Sequence, residues 1–524
     1  MAKIFVDGTE YEVDEKKNLI DALKEKGLEI PHFCYHPKLS VVGMCRICLI
    51  EIEGVPKFQA ACNTPIKDGM KINAFGEKIV KAREGVMEFL LINHPLDCPV
   101  CDKAGECRLQ NYSFSLGNET TRYKEVKRNI PQEKIGTNLL INHNRCILCY
   151  RCVRFDREIV GVNDLEMLAR GNDTIIAYTP PEIGGEKSTY LNHNYQGALA
   201  DICPVGALLN ENTLFQSRVW WYESKESHCH GCSTLCKVTT NVKNNALYRY
   251  MPRTSLSSPP QAGGKEGGLD DYFICDYGRF SGKDFSNARL YHYMVNGEKA
   301  KSTEALPVLA EKAAAAKKIL VLGGATESCE DVDAIEAQIQ SWRAEGKTVV
   351  WDFRTDKYAF HDGSSQWDFL LSRDLRPNAK YLRNKSATQL ADYAALEKEL
   401  RASDLVIIVG ELAAPYAYQT GEKHAHVKGL TIAEKVEDTD LFQSVNSTLA
   451  WGKTVLFTTH LNAAAELASI ALPILAFPEK AGHYIDKQGA EKHTIAVLTP
   501  VKGLQSPKEI LLRLRNLTPA GAAV

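Results

Sequence analysis

Residues 93–107, NHPLDCPVCDKAGEC, constrain this chain more than any other stretch. His94, Cys98, Cys101 and Cys107 fall within fourteen positions, interrupted by Pro95, Pro99 and Gly105. A helix would splay four such side chains around its surface. Proline and glycine instead favour a tight wrap in which all four converge on one point. Three soft thiolates and an imidazole suit zinc or an iron–sulfur cluster.

The remaining cysteines repeat the theme. The chain has 524 residues and 16 cysteines, of which all but Cys329 lie between Cys34 and Cys275. The close C-x-x-C spacings, with no export signal at Met1-Ala2-Lys3-Ile4, favour metal over disulfides and an intracellular setting. The length allows about three or four domains. A formal net charge of -2 argues against a partner of nucleic acid or an anionic membrane surface. No apolar run approaches the roughly 18 residues of a membrane span, so any membrane link runs through a partner.

In chain order, residues 2–13 alternate around Asp7-Gly8 as a hairpin, and residues 18–26 read as a short helix stopped by Gly27. Cys34, Cys45, Cys48 and Cys62 follow, with gaps of ten, two and thirteen residues and a strand over 47–53. This is the pattern of a β-grasp 2Fe-2S ferredoxin in a variant spacing; a four-cysteine zinc site is the alternative. Residues 77–93 form a helix whose Ile79, Val80, Val86, Phe89 and Leu90 recur at helical spacing, and Pro95 ends it at His94.

Cys146, Cys149 and Cys152 then form C-x2-C-x2-C. Bacterial ferredoxins place a further cysteine four residues on, for a second cluster; here Asp156 stands there. The distant partner is Cys203, before Pro204, so the pattern specifies one 4Fe-4S centre, with zinc as the lesser alternative. A fourth group, Cys229, Cys232 and Cys236, is completed by Cys275 after a Ser-, Pro- and Gly-rich stretch over 252–268, read as a mobile loop. His228 and His230 flank Cys229 and read as surface residues near that site. Arg46, Arg108, Arg145, Arg151 and Arg154 stand beside these side chains, either offsetting cluster charge or simply solvated.

Beyond about residue 285, strands over 318–322, 349–351, 405–409 and 455–458 alternate with helices over 331–344 and 390–400, as in an α/β layer fold. Gly323-Gly324 lacks the rest of a dinucleotide fingerprint and reads as a tight strand-to-helix turn. Cys329 reads as a buried or incidental thiol. No nucleophile motif and no flavin or NAD fingerprint accompanies the cysteines, so no catalytic residues are assigned.

The motif order, C-x10-C-x2-C-x13-C, H-x3-C-x2-C-x5-C, C-x2-C-x2-C…C-P and C-x2-C-x3-C…C, resembles the large iron–sulfur subunit (the G subunit) of NADH:quinone oxidoreductase, respiratory complex I. Residues 274–280, ICDYGRF, share in it, and residues 471–482 look like the corresponding stretch of molybdopterin oxidoreductases. The resemblance is tight over residues 1–280 and loose after.

The resemblance implies a multidomain α+β and α/β chain. Its parts are a β-grasp 2Fe-2S ferredoxin domain (1–78), a 4Fe-4S domain with one histidine and three cysteines as ligands (79–118), and a 4Fe-4S ferredoxin-like domain (119–218). A molybdopterin-oxidoreductase-type 4Fe-4S domain (219–284) and a truncated, degenerate α/β molybdopterin-oxidoreductase-like domain (285–524) complete it. One 2Fe-2S and three 4Fe-4S clusters are implied, without molybdopterin. Electrons would come from an NADH/FMN-binding subunit to the Cys34 centre, then to the Cys146 and His94 centres. A ferredoxin-like two-cluster subunit and other peripheral-arm subunits would carry them toward quinone. The Cys229 centre lies off that path in the family. The implied location is the cytoplasmic face of a bacterial inner membrane, held by partners.

Three rivals share parts of the pattern. A diaphorase or electron-transfer subunit of an NAD(P)-linked hydrogenase or formate dehydrogenase shares the front end but lacks so long a back half. An iron-only hydrogenase needs further cysteines where Asp156 and the back half stand. A catalytic molybdenum enzyme needs a metal ligand that only Cys329 offers.

Overall fold

The computed structural model describes residues 1–178, the short strands 182–183 and 186–187, 191, 193–253, 269–281, 289–353, 377–387, 390, 393–410, 450–461 and 463–517. The loop expected over 252–268 lies outside them from residue 254 on. The chain divides into two units, Met1–Tyr222 with Thr254–Phe273, and Glu223–Arg253 with Ile274–Val524.

The first unit opens on the expected hairpin, Ala2–Val6 against Thr9–Val13, turned by Asp7 (φ 49°) and Gly8 (φ 86°). Two successive left-handed residues are what a two-residue hairpin turn requires. Lys71–Asn73 adds in parallel to Ala2–Val6, and Leu49–Ile52 and Gln59–Ala60 extend the sheet to five strands. Helix Leu19–Glu25 is capped by Asn18, whose side chain accepts from the Ile20 N–H at 3.0 Å. It buries Leu19, Ile20, Ala22 and Leu23 against Ile4, Val6, Ile50 and Ile72, with Cys48 and Cys62 in the same core.

Helix Glu77–Leu91 forms as expected but presents a different face. Ile79, Arg83, Met87 and Glu88 are buried, whereas Phe89 is 65% exposed. The Arg83 guanidinium reaches the Leu49 carbonyl at 2.8 Å, so a charged residue lies on the inward stripe. Apolar spacing alone misassigned that stripe because a long arginine side chain buries as well as a leucine when its head is bonded.

Downstream, Leu139–Ile141 is flanked by Leu208–Asn210 and Glu133–Lys134, and Leu165–Leu168 pairs with Ile175–Tyr178. The short helix Arg151–Arg154 runs on as a wider turn through Val160. Asp156, fully buried there, accepts from the Asp164 and Leu165 N–H groups at 2.8 and 3.1 Å. At the position where a two-cluster ferredoxin has a cysteine, this chain ties down the following turn.

In the second unit, Glu223–His228, Lys237–Lys243 and Ala246–Pro252 make an antiparallel sheet. A seven-stranded sheet follows, in the order 298–300, 293–295, 470–473, 454–458, 405–409, 318–323 and 348–352. Its last five strands are parallel. All four predicted strands are among them, and the predicted helices appear as Cys329–Ala344 and Tyr393–Ala402. Val321, Ile407, Phe457 and Leu472 face one helical layer, while Leu320, Ile408 and Ala471 face another. Burial on both faces explains why these strands read as continuous apolar runs.

Candidate metal centres

The first cysteine group sits where the core of the five-stranded sheet opens into a loop. Arg46 takes a left-handed conformation (φ 56°) between Cys45 and Cys48, which turns the chain sharply enough to aim both inward. Cys48 leads into Leu49–Ile52, and Cys62 lies in the turn Ala61–Asn63, joined by an Ala61 N–H to Cys48 carbonyl bond of 2.9 Å. The Cys34 N–H points at the Cys45 sulfur at 3.4 Å. Hydrogen bonds from Cys45 and Cys62 pull the Cys34 thiol far down, while Cys45 is pushed well up by Cys34 and by burial. All four thiols are free of disulfides and buried.

In the second group, Cys98 lies in the turn Cys98–Val100, and Cys107 is the N-terminal cap of helix Arg108–Leu116. Gly105 (φ +86°) favours glycine, since a Cβ there would be strained and would lie 2.6 Å from Val219 Cγ2. Cys101 and Cys107 are buried and Cys98 is exposed. Burial pushes the Cys107 thiol up to about 11, with Cys101 adding to it. His94 Nδ1 is buried and meets no hydrogen-bond partner. Burial, then Arg145 and Lys127, hold His94 down to about 4, so the imidazole is neutral and keeps a lone pair to donate.

The third group encloses a small cavity lined by Cys146, Cys149, Cys152 and Cys203 together with Ile147, Val205 and Leu208. Leu148 (φ 53°) and Tyr150 (φ 64°) are both left-handed, which winds the C-x2-C-x2-C loop around that cavity. Cys203 ends helix Gln196–Ile202. Burial raises Cys146 to about 12 and Cys149 to about 11. Four thiols lining one cavity form a donor set that a cationic metal centre would satisfy.

The fourth group, in the second unit, is closed by a bond from the Cys229 N–H to the Cys236 carbonyl at 2.8 Å. Cys275 precedes helix Asp276–Ser281. A Cβ on Gly278 would overlap the Cys229 sulfur, so the backbone crowds the thiols as only glycine allows. Burial raises Cys229 to about 12. His230 packs against the rings of Phe477 (4.9 Å) and Tyr250 (6.3 Å). Both His228 and His230 are half-buried, rather than surface residues.

The arginines resolve unequally. Arg46 is exposed, whereas Arg151 and Arg154 are 0% and 3% exposed and Arg145 is buried. Arg154 donates to the carbonyls of Cys34 and Ser40, and Arg151 to those of Tyr35 and, at 3.4 Å, Ile202. The Cys146–Cys152 loop thus holds the loop of the first group by its backbone. Arg145 bonds Asp97 at 3.0 Å and bears on both His94 and Cys101. A Cβ on Gly206, three residues past Cys203, would overlap the Cys101 sulfur, so the second and third groups also adjoin.

Two residues escaped the sequence reading. Buried Arg279 donates to the Tyr250 carbonyl at 3.1 Å and lowers Cys229; its place four residues after Cys275 was the available signal. Lys103 is buried within the second group's loop, reaching the Ala200 carbonyl at 3.2 Å. Its lysine identity concealed that. Cys329 is buried against Asn378, as expected. Gly323 and Gly324 (φ +96° and +97°) make the tight turn, where a Gly323 Cβ would overlap the Val409 carbonyl oxygen.

Three family models match in succession: a 2Fe-2S iron-sulfur cluster binding domain over residues 1–75, the NADH-ubiquinone oxidoreductase-G iron-sulfur binding region over 83–122, and the ferredoxin-like domain of NADH-quinone oxidoreductase subunit 3 over 136–209. Among curated relatives, the NADH-ubiquinone oxidoreductase 75 kDa subunit of Reclinomonas americana is 41% identical over 48% of this chain and 36% of its own length. The G subunit of NADH-quinone oxidoreductase from Rickettsia conorii is 34% identical over 68% of this chain and 51% of its own. That of Rickettsia bellii is 32% identical over 78% and 54%. The chain thus spans about half the length, or less, of these relatives. A solved NAD+-reducing [NiFe]-hydrogenase chain is 26% identical over 42% of this chain and 91% of that one, with a TM-score of 0.36, too low to carry an argument. Over its iron–sulfur domains, this chain is thus similar to the G subunit of NADH-quinone oxidoreductase and its 75 kDa counterpart.

Proposed function

We propose that the chain is an iron–sulfur electron-transfer subunit of an NADH:quinone oxidoreductase, relaying single electrons from an NADH/FMN-binding subunit toward the quinone-site subunits. The observation that carries this is the joining of three thiol groups within one unit by Arg145, Arg151 and Arg154. Relatives that bear the corresponding names support it.

The ligand sets are Cys34, Cys45, Cys48 and Cys62 for a 2Fe-2S cluster, and His94, Cys98, Cys101 and Cys107 for a 4Fe-4S cluster. Cys146, Cys149, Cys152 and Cys203 hold a second 4Fe-4S cluster, and Cys229, Cys232, Cys236 and Cys275 a third. Such clusters, when bound, exchange single electrons with little change of shape. The chain's residues set the conditions. Sulfurs are delivered by strained turns, water is kept from most of them by burial, and fixed guanidinium groups offset negative charge. Neutral His94 contributes no charge, which distinguishes its centre from the all-cysteine ones.

The five-part division at residues 78, 118, 218 and 284 belongs to this reading. The part over 285–524 is a degenerate molybdopterin-oxidoreductase-like domain without pterin; Cys329, packed against Asn378 rather than facing an open site, supports that. The partners are the NADH/FMN-binding subunit, a ferredoxin-like two-cluster subunit and other peripheral-arm subunits. Residence is peripheral, on the cytoplasmic face of a bacterial inner membrane. Among the described residues no helix is long and apolar enough to cross a membrane.

Iron and sulfide analysis with low-temperature EPR tests this. Two irons in one centre and four in each of three give about 14 per chain. His94→Cys should keep the iron but alter one 4Fe-4S signal and its potential. His94→Ala should lose that signal and slow NADH-to-quinone turnover. Iron-free protein containing zinc would refute the reading, and an untouched spectrum in His94→Ala would remove His94 from the ligand set.

A further inference from the structure

Away from the cysteines, one group of side chains among the described residues has the chemistry of a metal site. Gly482–Ile485 and Glu491–Thr494 form a hairpin in which His483 lies opposite His493 and Ile485 opposite Glu491. Side chains alternate along a strand, so His483, Glu491 and His493 share one face. The other face carries Tyr484, fully buried, and Lys492, paired with Asp486 at 3.4 Å. One ring nitrogen from each histidine and a Glu491 carboxylate oxygen all lie within 4.8 Å of one another. The two rings stand nearly perpendicular, with centroids 4.2 Å apart.

A second carboxylate orients one of the rings. Glu330, in the first turn of helix Cys329–Ala344, accepts from the His483 N–H at 3.1 Å and bonds His483 Nδ1. A carboxylate on Nδ1 fixes the tautomer and leaves the lone pair on Nε2, the arrangement that metal-ligating histidines commonly share. The hairpin is seated close to that helix: a Cβ on Gly482 would lie 2.7 Å from the Ser328 Cβ. His493 and Glu491 are solvent-exposed and free to close on an ion.

We propose that His483, His493 and Glu491 bind a borderline divalent cation of the zinc type, with water completing its coordination and Glu330 orienting His483. Two imidazoles and a carboxylate are a donor set that zinc accepts. Zinc bonds of about 2.0–2.1 Å put tetrahedral donors roughly 3.4 Å apart, so the side chains close by about 1 Å. The ion would fasten the two strands of the hairpin to each other, a role separate from electron transfer.

The test uses the full chain with its iron in place, so that the cysteines do not compete for zinc. Dialysis against zinc, followed by metal analysis, should find one zinc per chain beyond any held before, with unchanged iron. X-ray absorption at the zinc edge should show imidazole and oxygen neighbours without sulfur. His483→Ala and His493→Ala should each abolish this binding while leaving the cluster EPR signals intact. Glu330→Gln should weaken it about 10- to 100-fold. No saturable zinc uptake by the parent chain would overturn the site. So would zinc uptake unchanged in the His483→Ala/His493→Ala double variant, or sulfur neighbours at the zinc.

Discussion

Buried arginines in the first unit and buried aliphatic residues in the seven-stranded sheet stabilise two parts of this molecule in different ways. Around the first three cysteine groups, Arg145, Arg151 and Arg154 fill the interior and bond carbonyls and a carboxylate across loops. In the sheet, Val321, Ile407, Phe457 and Leu472 are buried against helices with no polar group needed. Apolar burial is non-directional and holds by area. A buried guanidinium holds only while its bonds are made, because an unpaired buried charge is strongly destabilising. The thiol-rich loops therefore depend on their metal and on a few directed bonds, whereas the sheet depends on neither.

The largest expected effect comes from stripping the iron. Metal binding free energy is folding free energy where a site cannot pack without its ion. Amides of residues 98–107 and 146–152 should lose their hydrogen-exchange protection, while those of Leu405–Val409 keep theirs. Equal protection in both regions after stripping would erase the contrast.

Leu472→Ala probes the other side. Its side chain is fully buried, so truncation should cost about 2–5 kcal/mol in the unfolding of the sheet, with EPR signals unchanged. Loss of cluster signals in step with the sheet would show that the two regions do not stand independently.

Arg154→Ala should have the smallest effect, about 1–3 kcal/mol, because it removes the donor to the Cys34 and Ser40 carbonyls. The 2Fe-2S signal should broaden or fall before the others. A normal 2Fe-2S signal with unchanged melting would mean that the arginine bonds are incidental.

Much of this was legible in one dimension. The hairpin over residues 2–13, the Asn18-capped helix and the four parallel strands appear where alternation, capping and apolar runs place them. Local chemistry decides these elements, so local sequence reveals them. The helix Glu77–Leu91 was legible in extent but not in orientation, because Arg83 buries through a bond to Leu49, 34 residues earlier. His228 and His230 failed for a related reason: the packing of His230 depends on Phe477, far along the chain.

By itself, the sequence determined four groups of candidate metal-ligating residue types and their spacing, since at least three members of each group recur at short, fixed spacing. It also determined the α/β character of the back half, through strands apolar on both faces. Only the tertiary structure decided which arginines are buried and whose carbonyls they hold, that Asp156 anchors a turn, and that the Cys101 sulfur lies against Gly206. The same holds for His94, whose neutral ring follows from burial and from Arg145, 51 residues away. Such facts turn on desolvation and on directed bonds between distant segments, and neither is written in the order of residues around a motif.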